Sequence, residues 1–255
     1  MSVTAIIQAR TGSARLPNKV LLDLEGRTML ERVVERASLA KSIDNVVVAT
    51  TVDMSDLQIV ALMSGNGIRI YCGSEIDVLD RYYQAAKLCH AQHVVRITAD
   101  CPVIDPQVID RVVGRYFESE ADYCSNTLVE TYPDGQDVEV FSYSVLQAAW
   151  TEAVLPSERE HVTPFIKKNS GRFRLISCEH EPDLSHLRWT IDEPRDYEVI
   201  QIFYRELNSK NATFGMAEIL EYLDKRPSIQ AINQGIKRNE GYAKSLLSDK
   251  QSIHP

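Results

Sequence analysis

Over the first 120 residues, short apolar runs alternate with segments of helical period, and few folds accommodate that alternation. Val3-Thr4-Ala5-Ile6-Ile7-Gln8 and Val46-Val47-Val48-Ala49-Thr50 are nearly continuous in apolar residues, the pattern of strands buried on both faces. Between them Met29, Leu30, Val33, Val34, Ala37 and Ala40 recur at the spacing of one helix face. The pattern repeats: 57–63 reads as helix, 68–71 as extended, 78–89 as helix and 93–98 as extended. Asp105-Pro106 then opens a further helix, with Asp105 as N-cap and Pro106 at the first helical position. Units of this kind build a mostly parallel sheet covered by helices, and right-handed crossovers make it a doubly wound α/β fold.

Past residue 120 the order changes. Asp137-Val138-Glu139-Val140-Phe141 alternates with period two after the turn signal Pro133-Asp134-Gly135, which predicts a hairpin or edge strand. A small antiparallel insertion is therefore expected over about 130–142. Residues 172–178 alternate similarly, and helices are expected near 143–153, 158–169, 194–208 and 214–224. Residues 1–237 read as one domain, and the polar, unpatterned stretch 238–255 as a frayed tail.

Charge and cysteine usage narrow the function classes. A net charge of −8 argues against a protein that coats nucleic acid, which needs a basic face. No apolar run reaches transmembrane length, and the N-terminus, lacking a basic flank, reads as a first strand and not a signal peptide. Five cysteines with no CxxC or CxxH spacing suggest neither a disulfide framework nor a zinc site, so a cytoplasmic setting is expected.

Against this acidic background one cluster of cations stands out. The first strand runs into Ala9-Arg10-Thr11-Gly12-Ser13-Ala14-Arg15-Leu16-Pro17-Asn18-Lys19, a loop of small residues carrying three cations and no acid. Such a loop can cradle a polyphosphate, although its spacing is neither GxxxxGK[ST] nor GxGxxG, and a solvated basic loop is the alternative. Asp100 follows the extended segment 93–98, at a strand end where an acid can hold Mg²⁺ against a phosphate. Asp105 already serves as the next helix's N-cap, which leaves Asp100 without that ordinary role. A third segment, Leu187 to Asp196, again ends a short strand in acids: Glu193 fits the N-cap before Pro194, Asp196 the first turn, and Asp192 lies just outside. Mg²⁺ takes one or two protein carboxylates, so Asp100 and Asp192 form a candidate pair. Cys101 reads as structural, His161 as a surface residue in a polar cluster that could touch substrate, and the Glu31-Arg32 and Glu35-Arg36 pairs as a solvated helix face.

Several of these segments carry a family likeness. Ile6-Ile7-Gln8-Ala9-Arg10 through Ser13-x-Arg15-Leu16-Pro17-x-Lys19 resembles the N-terminal signature of the CMP-sugar synthetases, among them the CMP-Kdo synthetases and acylneuraminate cytidylyltransferases. Val48-Ala49-Thr50, Gly73-Ser74-Glu75-Ile76-Asp77-Val78-Leu79-Asp80-Arg81-Tyr82 and Arg96-Ile97-Thr98-Ala99-Asp100-Cys101-Pro102 resemble one branch, the SpsF-like proteins of spore coat polysaccharide biosynthesis. Asp134 to Phe141 and Arg159-Glu160-His161-Val162-Thr163-Pro164 are similar to the same branch, and the likeness runs over about residues 3–225.

The resemblance implies a three-layer, GT-A/Rossmann-like nucleotidyltransferase fold. It implies a Mg²⁺-assisted transfer of CMP from CTP to an acidic small molecule, a 2-keto sugar acid, phosphate or phosphonate, with release of pyrophosphate. Arg10 and Lys19 would hold the triphosphate with Arg15 assisting, Asp100 the catalytic metal, and Asp192 would be the second acid on the metal's side. The loop after the first strand (Ala9, Arg10, Thr11, Gly12, Ser13) and the Gly73-Ser74-Glu75 segment would frame the cytosine, with Thr98 on the same wall. Thr98-Ala99-Asp100 stands where the sugar-acid enzymes commonly carry Gln-Gly-Asp, a departure that leaves the acceptor open. A homodimer is also implied, with residues near 133–141 as its contact. Two rivals remain at this stage. A glycosyltransferase would release no pyrophosphate and usually carries Asp-x-Asp, which Asp100-Cys101-Pro102 is not; a non-catalytic nucleotide-binding protein would not need the acids.

Overall fold

In the computed structural model, which describes residues 2–253, the first apolar run is strand β1 (Val3–Gln8). It leads through α1 (Met29–Leu39), β2 (Asn45–Thr51), α2 (Leu57–Gly65), β3 (Arg69–Gly73), α3 (Val78–Leu88) and β4 (His93–Thr98) to α4 (Pro106–Glu118). Local signals set these boundaries. Thr28 and Glu31 form a reciprocal capping box at the start of α1, Asp77 caps α3, and Asp105 caps α4 by accepting from the Gln107 N–H at 2.8 Å. The other Asp105 oxygen accepts from the Met216 N–H at 2.6 Å, tying a distant part of the chain to the same helix start.

The second half adds β5 (Tyr123–Ser125), β6 (Glu139–Ser142), α5 (Tyr143–Glu152), α6 (Pro156–His161), α7 (Pro164–Lys168) and β7 (Leu175–Ser177). Helices α8 (Pro194–Leu207), α9 (Met216–Asp224), α10 (Pro227–Gln230) and α11 (Glu240–Ile253) follow. All seven strands join one sheet in the order β3-β2-β1-β4-β6-β5-β7, parallel except where β6 runs against both β4 and β5. The antiparallel strand expected from Asp137–Phe141 is thus present, but in the interior of the sheet and not at its edge. Successive residues of β1, β2 and β4 feed opposite cores: Ala5, Ile7, Val48, Val95 and Ile97 one, Ile6, Val47, Ala49 and Val94 the other. Three layers result, each buried valine or isoleucine side chain contributing about 1.5–3 kcal/mol.

Two further expectations change here. Arg32 and Arg36 are buried, not solvated: Arg32 donates to the carbonyls of Leu24 and Glu25, Arg36 to those of Ile104 and Phe214. They close loops whose carbonyls would otherwise lack partners. Residues 133–141, expected near a dimer contact, are buried within the chain except for half-buried Asp137. The stretch expected as a frayed tail forms α11, which docks on α6 through a polar contact: buried Asp249 accepts from the Ser157 N–H at 2.9 Å and from its hydroxyl at 2.6 Å. Few apolar residues mark that helix, and periodicity does not register hydrogen bonds.

Candidate active site

Strand β1 has β2 on one side and β4 on the other, so the chain leaves the carboxyl ends of β1 and β4 in diverging directions. A crevice opens there, where open α/β sheets bind ligands. Gln8 and Thr98 are register partners, which sets the cationic loop that follows β1 beside the Asp100 turn that follows β4. Asp192 arrives from far along the chain by backbone pairing. The Ile191 N–H and the Thr190 hydroxyl donate to the Asp100 carbonyl at 2.9 and 3.0 Å. The turn at Gly135, with φ of 102°, packs against that segment; an added side chain would come within 2.6 Å of the Trp189 backbone. Asp196 holds the following bend by accepting from the N–H groups of Asp192 and Glu193, both at 3.0 Å.

Asp100 and Asp192 converge on one cation, the Lys19 ammonium. Lys19 Nζ donates to Asp100 Oδ2 at 3.0 Å, Asp192 Oδ1 at 2.9 Å and the Ile191 carbonyl at 2.7 Å. Arg15 pairs with the same Asp192 oxygen at 2.8 Å, and Arg188 donates to the other at 2.9 Å. Burial works against the Asp100 carboxyl's charge, but Lys19 and the Thr98 hydroxyl outweigh it and hold the group down to about 2. Burial likewise opposes the Lys19 charge, and the two carboxylates keep its pKa above the usual lysine value. Two carboxylates focused on one point, on the wall of an open cleft, fit a divalent cation that completes its shell with water and phosphate oxygens. Among the described residues no three His, Cys, Asp or Glu side chains converge as a protein-only metal cage would require.

Two compartments meet at this cluster. The larger, of about 820 Å³, is lined by Ala9, Arg10, Gly12, Ser13, Arg15 and Lys19 of the loop, together with Thr98, Asp100, Glu75, Asp77, Arg81 and Arg159. The smaller, of about 400 Å³, is lined by Arg96, Asp137, Glu139, Thr163, Lys167 and Asp192. Gln8, Arg15, Thr98, Asp100, His161 and Glu240 belong to both. Most residues singled out in the sequence are therefore brought together. Three stand behind the wall. Thr11 is buried with its N–H and hydroxyl both donated to Asp56 at 2.7 Å, Ser74 receives the Asp77 N–H at 3.1 Å, and Gly73 lies under the Tyr71 ring.

Most other wall residues went unread in the sequence. His161, expected on the surface, lines both compartments with Nε2 at 2.9 Å from the Ser245 hydroxyl and its ring edge-on to Tyr242. The helix expected over 158–169 breaks between α6 and α7 at Val162, whose φ of 72° is costly for a β-branched residue, by about 1–3 kcal/mol. That break turns His161 inward and lets Thr163 donate to Glu139 at 2.7 Å. Glu139 also takes an ion pair from Arg96, which with Lys167 keeps its carboxyl well below the usual range despite burial. Glu240, Gly241 and Lys244 of α11 form part of the outer wall, and Glu240 pairs with Arg15 at 3.3 Å. Cys101 is buried with its thiol pKa pushed up by burial, in keeping with a structural role.

Comparison with known proteins gives this arrangement its setting. Residues 4–235 match the family model described as cytidylyltransferase. An uncharacterised protein of Methanocaldococcus jannaschii is 37% identical over 240 residues, 93% of this chain and 97% of that protein. The spore coat polysaccharide biosynthesis protein SpsF of Bacillus subtilis is 31% identical over 229 residues, 87% of this chain and 94% of its own length. The solved structure of a cytidylyltransferase from Leptospira borgpetersenii superposes with a TM-score of 0.87 at 34% identity, covering 93% of this chain and all of that one (100%). With its sheet, its switch-point crevice and its strand-end acids in that company, the chain belongs to the cytidylyltransferase family and is a CTP-dependent nucleotidyltransferase.

Proposed function

We propose that the chain transfers CMP from CTP to an oxygen of an acidic small molecule, releasing pyrophosphate, with Mg²⁺ as the divalent ion. The observation that carries this reading is the convergence of Arg15, Lys19, Asp100 and Asp192 where the two compartments meet. The larger compartment takes the nucleotide, and its basic loop suits a triphosphate. The smaller takes the acceptor, and Arg96 and Lys167, both paired with Glu139, are the cations its deeper wall presents. The acceptor oxygen attacks the α-phosphorus in line with departure of pyrophosphate. Arg10, Arg15 and Lys19 neutralise the charge that builds on the phosphate oxygens, fixed in place before the reaction by Glu75, Asp192 and Asp100. Asp100 and Asp192 would hold the metal, which when bound would supply charge stabilisation to the reacting phosphate. An acceptor that is already ionised needs no general base. The SpsF likeness supports a place in surface polysaccharide biosynthesis; a sugar acid, phosphate or phosphonate is the acceptor class we propose.

The experiment is pyrophosphate release from each of the four NTPs with Mg²⁺, against a panel of sugar acids, phosphates and phosphonates. Release with CTP and one acceptor class is the expected result. Sugar transfer without pyrophosphate, or absence of CTP binding, would overturn the reading.

A further inference from the structure

Helix α6 ends in Arg159-Glu160-His161, and the transfer as described leaves the His161 imidazole without a role. The residue lines both compartments, as Arg15 and Asp100 do. Its ring is held from behind by α11. Nε2 lies 2.9 Å from the Ser245 hydroxyl, and that hydroxyl donates to Glu160 Oε2 at 2.5 Å. A carboxylate only accepts, so the single hydroxyl proton goes to Glu160 and the hydroxyl oxygen is left to accept from the ring. The Gly241 carbonyl, 3.2 Å from the same hydroxyl, also only accepts. Nε2 therefore carries the ring hydrogen. Ser245 is buried, so water does not take the place of these partners.

The other nitrogen is in the opposite condition. Nδ1 makes no hydrogen bond among the described residues, yet it is not one of the unpartnered atoms shut off from solvent. Its lone pair is free. Burial, with Arg96 on β4 and Lys167 on α7 in support, outweighs Glu160 and the Glu139 carboxylate on β6 and holds the ring's pKa below the usual histidine value. The imidazole is therefore neutral at pH 7. Other charged groups around it are engaged elsewhere: Glu240 of α11 with Arg15, and Asp77 at the start of α3 with Arg159. Helix α11 adds the Tyr242 ring, edge-on at 5.2 Å, and Lys244 on the wall of the larger compartment. A neutral nitrogen with a free lone pair repels the lone pairs of an ionised oxygen and attracts an O–H. The ring thus suits an acceptor that attacks through a hydroxyl.

We propose that His161 is the general base of the transfer, and that the attacking group of the acceptor is a hydroxyl and not a phosphate or phosphonate oxygen. The hydroxyl proton moves to Nδ1 while its oxygen bonds to the α-phosphorus. The bond from that phosphorus to the bridging oxygen breaks, and pyrophosphate leaves with the electron pair. The imidazolium so formed keeps its Nε2–H on Ser245, with the Glu160 carboxylate 3.7 Å from that nitrogen, and then passes its proton to water. Base and orienting groups stand in series, imidazole, hydroxyl and carboxylate, which fixes the ring before the acceptor arrives. The inference rests on the proposed cytidylyl transfer and names which of its acceptor classes the site takes.

Pyrophosphate release from CTP with Mg²⁺ is measured from pH 5 to 9 for the full chain and for H161Q, whose amide keeps a donor for Ser245 but supplies no base. Kdo and N-acetylneuraminate serve as hydroxyl acceptors, methyl phosphate and 2-aminoethylphosphonate as ionised ones. Release is expected with a hydroxyl acceptor. H161Q should lower its kcat by about 10²- to 10⁴-fold while leaving CTP affinity by calorimetry within about threefold. The wild-type rate should fall below about pH 6 as the ring takes up a proton, and H161Q should lack that fall. An H161Q chain with wild-type kcat, or one that is slow but keeps the acid-side fall, would make His161 a structural residue and overturn the proposal. Release with the ionised acceptors alone would keep the cytidylyl transfer and overturn the base. Release with none of the four would sink the transfer and this inference together. If H161Q does not fold, H161N is put to the same test. Nitrogen-15 NMR of the wild-type ring needs no variant: hydrogen on Nε2 alone is expected, and hydrogen on Nδ1 at pH 7 would overturn the assignment.

Discussion

Asp100 accepts from Lys19 and faces the junction of the two compartments, so its removal tests the chemistry without dismantling the site. D100N is expected to lower pyrophosphate release with CTP by about 10³-fold, the scale of losing one preorganised charge contact. The fold should survive, because Lys19 keeps Asp192 at 2.9 Å and the Ile191 carbonyl at 2.7 Å. Near-normal turnover with an unchanged circular dichroism spectrum would take Asp100 out of the mechanism. Arg15 and Lys19 were legible in the sequence from a loop with cations and no acids, and Asp100 from the end of β4; the short strand expected before Asp192 forms only a single bridge, Arg188 to Asp134. Asp100 and Asp192 were paired there on chemistry alone; the hydrogen bonds from residues 190 and 191 to the Asp100 carbonyl, which bring them together, span some ninety positions and leave no periodic trace. Arg32 and Arg36 show the opposite failure. Glu-Arg pairs four apart look the same whether the arginines meet water or the carbonyls of Ile104 and Phe214.

Among the elements, the strands and helices of the first 120 residues were readable because each has a sustained period of its own. Strand β5 has three residues and β6 four, too short for a period to fix their place in the sheet, and an interior antiparallel strand alternates just as an edge strand does. Helix α11 is the element whose reading changed most, and it lies beyond the matched family region of 4–235. It reaches the site through Glu240, whose carboxylate accepts from the Arg15 guanidinium that the proposed mechanism sets on the triphosphate. Glu240 and phosphate therefore compete for one cation. E240Q is expected to tighten CTP binding by about two- to fivefold, the scale of an exposed ion pair, with the gain fading as salt is raised. Calorimetric titration at two ionic strengths checks this; weaker binding would mean that the helix contributes a contact to the nucleotide and not a competitor.

For the molecule as a whole, the balance of perturbed carboxylates sets the response to pH. Asp56, Asp100, Glu139 and Asp196 are each lifted by burial and pulled further down by cations or hydrogen bonds, so their folded pKa values lie below those of the unfolded chain. As the pH falls below about 4 the unfolded chain takes up protons first, and the stability these groups supply is lost. Burial raises Asp134 and Asp137 instead, and they withdraw some stability as the pH rises from about 4 toward neutrality. Urea midpoints from pH 3 to 8 should pass through a maximum near pH 5, falling steeply on the acid side and gently on the other; a monotonic rise to pH 8 would contradict this assignment. The ammonium at the centre of the site also bears on the sequence of events in solution. Lys19 already satisfies both acids, so the free protein has little use for a second cation there, and chelators should leave its melting temperature unmoved. Once a triphosphate offers Lys19 other oxygens, the two carboxylates become available. The binding partners then enter as an ordered pair, with ion affinity conditional on nucleotide: Mn²⁺ followed by electron paramagnetic resonance should bind weakly to the chain alone and at least tenfold more tightly once CTP is present.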